Sequence, residues 1–191
     1  MLLGMTNSGE PEEQANGVCL PWYAVRVRSR QERAVSLQLR GRGLEEYYPT
    51  YDVMRQWSDR KKLITESLFP GYVFCRLDPS NRLPILSAPG VVGLVGFGDG
   101  PTPIPDDEVE RVRRMTSSGL LVSPWPFLKA GQRVLIERGP LLGLEGLLQT
   151  IKGKHRLVGS ITLLQRSVST EIDRSWVRPL SSAPQKPSGA R

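Results

Sequence analysis

From Trp22 to Arg28 the side chains alternate, Tyr23, Val25 and Val27 one way and Trp22, Ala24, Arg26 and Arg28 the other, which predicts a strand. Ser29-Arg30-Gln31-Glu32 has the form of a capping box and predicts a helix over 30–40, ended by Gly41 and Gly43. Segments 47–56 and 63–68 flank the polar run Ser58-Asp59-Arg60-Lys61-Lys62, a hairpin with a basic tip. The strand pattern 69–77 again separates two faces: Gly71, Val73, Cys75 and Leu77 on one, Tyr72, Phe74 and Arg76 on the other. A short helix over 80–87 tolerates Pro84 in its first turn, and 91–97 is a further strand. Pro105 then starts a helix with Asp106, Asp107 and Glu108 at its positive end and Val109, Val112 and Met115 as its buried stripe.

From Gln132 onward the helical period disappears. Strands over 132–138, 144–151, 156–164 and 167–173, separated by short Gly-rich or polar turns, suit a small β-barrel. Thr116-Ser117-Ser118-Gly119 and Ser123-Pro124-Trp125-Pro126 break both patterns and read as a linker. The expected organisation is a tail over 1–20, an α+β domain with an antiparallel sheet over 21–118, a linker over 119–128, an all-β barrel over 129–180 and a tail over 181–191.

Composition adds charge to this picture and removes metals from it. The 191 residues are 39% hydrophobic, enough for a folded chain, and carry a net charge of +7. Nine basic residues against four acidic ones between 120 and 180 make that segment the most cationic. An anionic partner such as nucleic acid fits this balance. Two cysteines, Cys19 and Cys75, and one histidine, His155, supply neither a zinc site nor a disulfide framework. No window approaches the ~20 apolar residues of a membrane helix, and the first residues lack the basic leader of a secretory signal, so the expectation is a cytoplasmic protein without a membrane role.

Catalysis lacks parts. His155 lies in the basic turn Lys152-Gly153-Lys154-His155-Arg156, and Asp106, Asp107 and Glu108 splay around a helix start, where capping accounts for them. Gly96-Phe97-Gly98-Asp99-Gly100 lacks the Lys-Ser/Thr of a phosphate loop and reads as a turn. Two arrangements remain. Tyr72 and Phe74 share a face with Trp22, a patch that either lies under another element or awaits a protein partner. Arg26, Arg28, Arg30, Arg33, Arg40 and Arg42 fall within seventeen positions against one acid, Glu32, which suits phosphate contact as well as a solvated surface.

In order, Trp22-Tyr23-Ala24-Val25, the helix 31–39, Phe69-Pro70-Gly71-Tyr72-Val73-Phe74, Pro89-Gly90-Val91-Val92 and Pro103-Ile104-Pro105 resemble the N-terminal domain of NusG-type transcription elongation factors. Residues 131–178 resemble its KOW domain, an SH3-like barrel, through Gly131-Gln132-Arg133-Val134, the run Gly139–Gly146 and Glu171-Ile172-Asp173. Segments 55–62 and 164–168 resemble further the specialised Upx-type and RfaH-type antiterminator paralogues, which serve long operons, often for surface polysaccharides. The resemblance implies a non-enzymatic factor, monomeric and without a cofactor, that increases processivity by docking on the clamp helices of the largest catalytic subunit of RNA polymerase.

The polymerase contact so implied uses Trp22, Phe69, Tyr72, Phe74 and Phe97, with a second one at Asn81 and Arg82. The non-template DNA strand would meet Arg28, Arg30 and Arg33, joined by Arg60, Lys61 and Lys62. In the barrel, Arg138, Lys152, Lys154, Arg156 and Arg166 are the candidates for contact with RNA, the ribosome or a termination helicase. A general housekeeping NusG factor and a ribosome-associated or RNA-binding KOW protein are the alternative readings.

Overall fold

The computed structural model describes residues 20–57, 60–98, 100–127 and 131–180. Both expected tails, apart from Leu20, and Cys19 lie outside the described residues. The N-terminal part is an antiparallel sheet of order β2-β5-β1-β6, built from β1 (Trp22–Val27), β2 (Glu46–Tyr47), β5 (Tyr72–Arg76) and β6 (Val91–Leu94). A separate hairpin of β3 (Thr50–Gln56) and β4 (Lys61–Ser67) projects from it. Three helices complete this part: α1 (Glu32–Gly41), α2 (Leu83–Leu86) and α3 (Asp106–Ser117).

The two faces of β1 and β5 pack as their alternation requires. Register pairs Val25 with Val73 and Tyr23 with Cys75, and this face forms a core with Val35 and Leu39 of α1 and Ile85 of α2. Opposite it, Ala24 pairs with Phe74 and Trp22 with Arg76. That second face packs under Val109, Val112 and Met115 of α3, whose apolar positions recur every three residues.

The capping box does not form. The helix starts at Glu32, two residues later than expected, without a side-chain cap. The buried Glu32 carboxylate instead accepts a 2.8 Å hydrogen bond from the Gly71 amide. That amide belongs to a turn, Tyr72 N to Phe69 O at 3.0 Å, in which Pro70 precedes Gly71 at φ +86, a backbone region suited to glycine.

The C-terminal part is one antiparallel sheet of six strands, order β12-β8-β9-β10-β11-β7. It comprises β7 (Val122–Trp125), β8 (Gln132–Ile136), β9 (Glu145–Ile151), β10 (Lys154–Ile161), β11 (Arg166–Ile172) and β12 (Val177–Pro179). Four of these match the expected strands. The other two differ from expectation: β7 falls inside the segment read as linker, and β12 follows the last predicted strand. Both are edge strands and both carry a proline, Pro124 and Pro179, which an edge tolerates because one side of its backbone needs no partner.

The two parts meet along α3. Apolar residues of both belong to one buried cluster, running from Trp22 and Phe74 through Met115 to Leu157 and Val168. Gly159 of β10 makes room for this contact, since a Cβ there would lie 2.9 Å from Met115 Sδ. Polar bonds frame it. Glu108 accepts from the Thr162 amide at 2.9 Å and its hydroxyl at 2.6 Å, and Arg111 Nε donates to Glu145 O at 2.8 Å. The three acids occupy the first turn of α3 as expected, without a side-chain cap, and Asp106 pairs also with Arg76 and Asp107 with Arg111 of the same helix. Among the described residues no helix is long and apolar enough to cross a membrane.

Candidate nucleic-acid and protein interface

The turn joining β1 to α1 carries a dense cationic surface. Gln31 N donates to Arg28 O at 3.1 Å, which closes the turn and sets Arg30 at its third position with φ 63. A non-glycine residue in that left-handed region costs roughly 1–2 kcal/mol. Arg26, Arg28, Arg30 and Arg33 are all exposed, and none has a carboxylate within ion-pair distance among the described residues. The one acid in this stretch of sequence, Glu32, is turned inward to Gly71. A ridge of uncompensated guanidinium groups results, the surface that phosphate contacts require.

Arg60, Lys61 and Lys62 are exposed at the start of β4, away from this turn, so the structure sets the expected DNA residues on two protrusions. At the hairpin base Glu66 accepts from Nε and Nη2 of Arg55 and from the Tyr51 hydroxyl, and these bonds hold its carboxyl below the usual range.

The aromatic residues do not form an open platform. Trp22, Phe69 and Phe74 are 2%, 0% and 1% exposed, so of the two readings of this patch the first describes these rings, which lie under other parts of the fold. Phe74 meets Phe69 edge to face at 5.3 Å and Tyr47 at 6.2 Å. Arg76 and Arg113 lie over the Trp22 ring at 4.7 and 5.2 Å. Burial pushes the Tyr47 hydroxyl up to about 12, against an opposing hydrogen bond with Thr116.

Tyr72 differs from its neighbours in being half-exposed. It sits opposite Arg26 in the β1–β5 register, and Arg166 of the C-terminal sheet stacks over it at 5.2 Å while donating to Pro70 O at 3.0 Å. Phe97 is 74% exposed, apart from the Tyr72 face, beyond the end of β6. Asn81 and Arg82 are exposed at the turn before α2.

In the C-terminal sheet the expected cations divide by partner. Lys154 and Arg156 share Glu171, at 3.1 and 2.6 Å, and Arg156 also stacks on Trp125 at 4.8 Å. Arg138 and Lys152 are exposed with no ion pair among the described residues. The fixed cluster that sequence reasoning missed is Arg26, Tyr72 and Arg166, whose members come from both domains. A local signal existed for the first two, since Arg26 and Tyr72 share a face by alternation; Arg166 lies 94 positions further on and carries none.

The chain is similar in sequence to known proteins. The family described as NusG, transcription termination factor, matches residues 20–113, from just before β1 into α3. The NusG transcription termination/antitermination protein of Helicobacter pylori is 26% identical over 174 residues, covering 84% of this chain and 99% of the relative. That of Thermus thermophilus is 28% identical over 183 residues, covering 83% and 97%. A solved structure titled "Domain interaction in Thermotoga maritima NusG" aligns with a TM-score of 0.47 at 23% identity, covering 84% of this chain and 97% of that one. The family match spans every strand of the N-terminal sheet and the relatives align across both domains, so along most of its length the chain is similar to NusG transcription termination and antitermination factors.

Proposed function

We propose that this protein is an elongation factor that rides on RNA polymerase, grips the non-template DNA strand with the Arg28–Arg33 ridge and raises processivity without catalysing a reaction. The carrying observation is the ridge itself: four exposed arginines, two on the turn and one on each element it joins, unpaired with carboxylates among the described residues and including one in a costly backbone conformation. A merely solvated surface gains nothing from such strain, whereas ligand-gripping positions commonly store it.

Polymerase docking on the clamp helices of the largest catalytic subunit would use Tyr72 and its arginine rim, with Trp22, Phe69 and Phe74 as the packed support beneath. Phe97, with Asn81 and Arg82, offers a second exposed surface on the same domain. Clamping both the polymerase and the strand disfavours the open, paused enzyme by differential binding. Arg60, Lys61 and Lys62 extend the cationic surface, and the likeness of 55–62 to specialised paralogues favours service to one long operon. The exposed Arg138 and Lys152 leave the C-terminal sheet able to meet RNA, the ribosome or a helicase.

The test is recruitment to transcribing polymerase, read by chromatin occupancy, for the wild type, Arg30→Glu/Arg33→Glu and Tyr72→Ala. Loss of occupancy in the double reversal is expected to accompany loss of single-strand binding in vitro. Unchanged occupancy and binding in a folded double reversal would reject the ridge, and undiminished polymerase capture by Tyr72→Ala would reject that docking face.

A further inference from the structure

We propose that the groove between the two domains is a single-stranded DNA site, in which Arg166 and Trp125 of the C-terminal sheet complete the surface begun by Arg30 and Arg33. This rests on the nucleic-acid reading of the ridge and extends it to a second domain. The groove, of about 520 Å³, has Arg30, Arg33 and Tyr51 among its lining on one side and Trp125 and Arg166 on the other. A smaller concavity of about 300 Å³, holding Arg26 and Tyr72, adjoins it, and Arg166 borders both.

Four guanidinium groups therefore face this space, and none pairs with a carboxylate among the described residues. Both carboxylates in the larger groove are already occupied, Glu32 by the Gly71 amide and Glu66 by Arg55 and Tyr51. The four guanidinium groups outnumber these two carboxylates. Cations along the walls with aromatic rings between them are the make-up of single-strand channels, where phosphates are neutralised and bases offer their flat faces. At about 520 Å³ the groove has the volume of a small-ligand pocket. Two left-handed residues flank the groove's cations, Arg30 itself and Gln165 just before Arg166. Continuity with the ridge assigned to the non-template strand identifies the occupant as DNA.

Fluorescence anisotropy of the full-length protein with a labelled oligothymidine of about 12 nucleotides tests this, titrated between about 50 and 200 mM salt. Arg166→Ala is expected to weaken binding roughly 3- to 10-fold and to reduce the log K against log salt slope by about 0.7. Arg166→Lys should keep the slope. Trp125→Leu should weaken binding several-fold with the slope unchanged, because it removes stacking rather than charge. Near-UV circular dichroism checks folding, and if Arg166→Ala misfolds, the lysine and Trp125 variants decide.

Wild-type binding by Arg166→Ala, alongside loss in Arg30→Glu/Arg33→Glu, would overturn the shared groove and leave the ridge standing. Wild-type binding by all of these variants would overturn both. An equal loss in Lys152→Ala, whose residue lines neither cavity, would reduce the effect to general charge and overturn the site. Tighter binding of oligouridine than of oligothymidine would overturn the assignment to DNA.

Discussion

Replacing Arg30 by glycine is expected to make the protein slightly more stable and a weaker binder of single-stranded DNA. Arg30 occupies the third position of the turn closed by Gln31 N and Arg28 O, with φ 63. For a residue with a Cβ this conformation costs roughly 1–2 kcal/mol. Glycine removes that cost but returns about 0.5–1 kcal/mol through its freer unfolded chain. Arg30 is exposed and makes no hydrogen bond or ion pair among the described residues, so little else is lost. The net gain is about 0.5 kcal/mol, or about 1–2 °C in melting temperature at this chain length. Arg30→Ala keeps the strain and should leave stability within about 0.5 kcal/mol. Both variants lose one phosphate contact, so the salt slope for a single strand should drop by about 0.7. Urea unfolding followed by anisotropy on the same samples reads both quantities. A glycine variant destabilised by about 1 kcal/mol or more, or one binding as wild type, would refute the argument that strain at Arg30 is tolerated for the sake of a ligand.

Phe74→Ala should cost about 3–5 kcal/mol in urea unfolding, because the ring is buried against Phe69 and Tyr47; a loss below about 1 kcal/mol would mean that the face is open after all. Gly159→Ala sets a methyl 2.9 Å from Met115 Sδ and should loosen the contact between α3 and β10, raising hydrogen exchange in α3; Met115→Ala in the same chain should restore protection, and no change in the single variant refutes the contact. Burial pushes the Cys75 thiol up to about 12 from an ordinary 9.0, so it should resist a thiol reagent at mild alkaline pH until the chain unfolds. The same shift has a stability sign. Cys75, and Tyr47 raised from 10.0 to about 12, keep their protons longer folded than unfolded, so their stabilisation is complete below about pH 9 and is lost as pH climbs towards 12. A urea midpoint that stays flat over that window would contradict it.

Local periodicity made much of this fold legible. The alternation of β1 and β5 assigned Val25 and Val73 to one layer and Trp22 and Phe74 to another, and the three-residue stripe of α3 marked its buried side. What covers the second layer could not be read, because burial of Phe74 depends on α3, which is more than thirty positions away. The strand at Val122–Trp125 was hidden by Pro124, a residue that signals a break everywhere except on a sheet edge. Glu32 has the spacing of a capping residue, and only the distant Gly71 amide outcompetes that role. The arginine ridge was visible as composition, whereas the left-handed backbone of Arg30 and the arrival of Arg166 over Tyr72 are tertiary facts.

Glu32 has one more effect. Its carboxylate fastens the end of α1 to Gly71, whose carbonyl in turn accepts from Val27 at 2.9 Å. The turn presenting Tyr72 and the one presenting the arginines are thereby bolted to a common bracket inside the same domain. Their separation is cut to length when the chain folds, like marks on a ruler, and a molecule touching both must match that interval rather than adjust it.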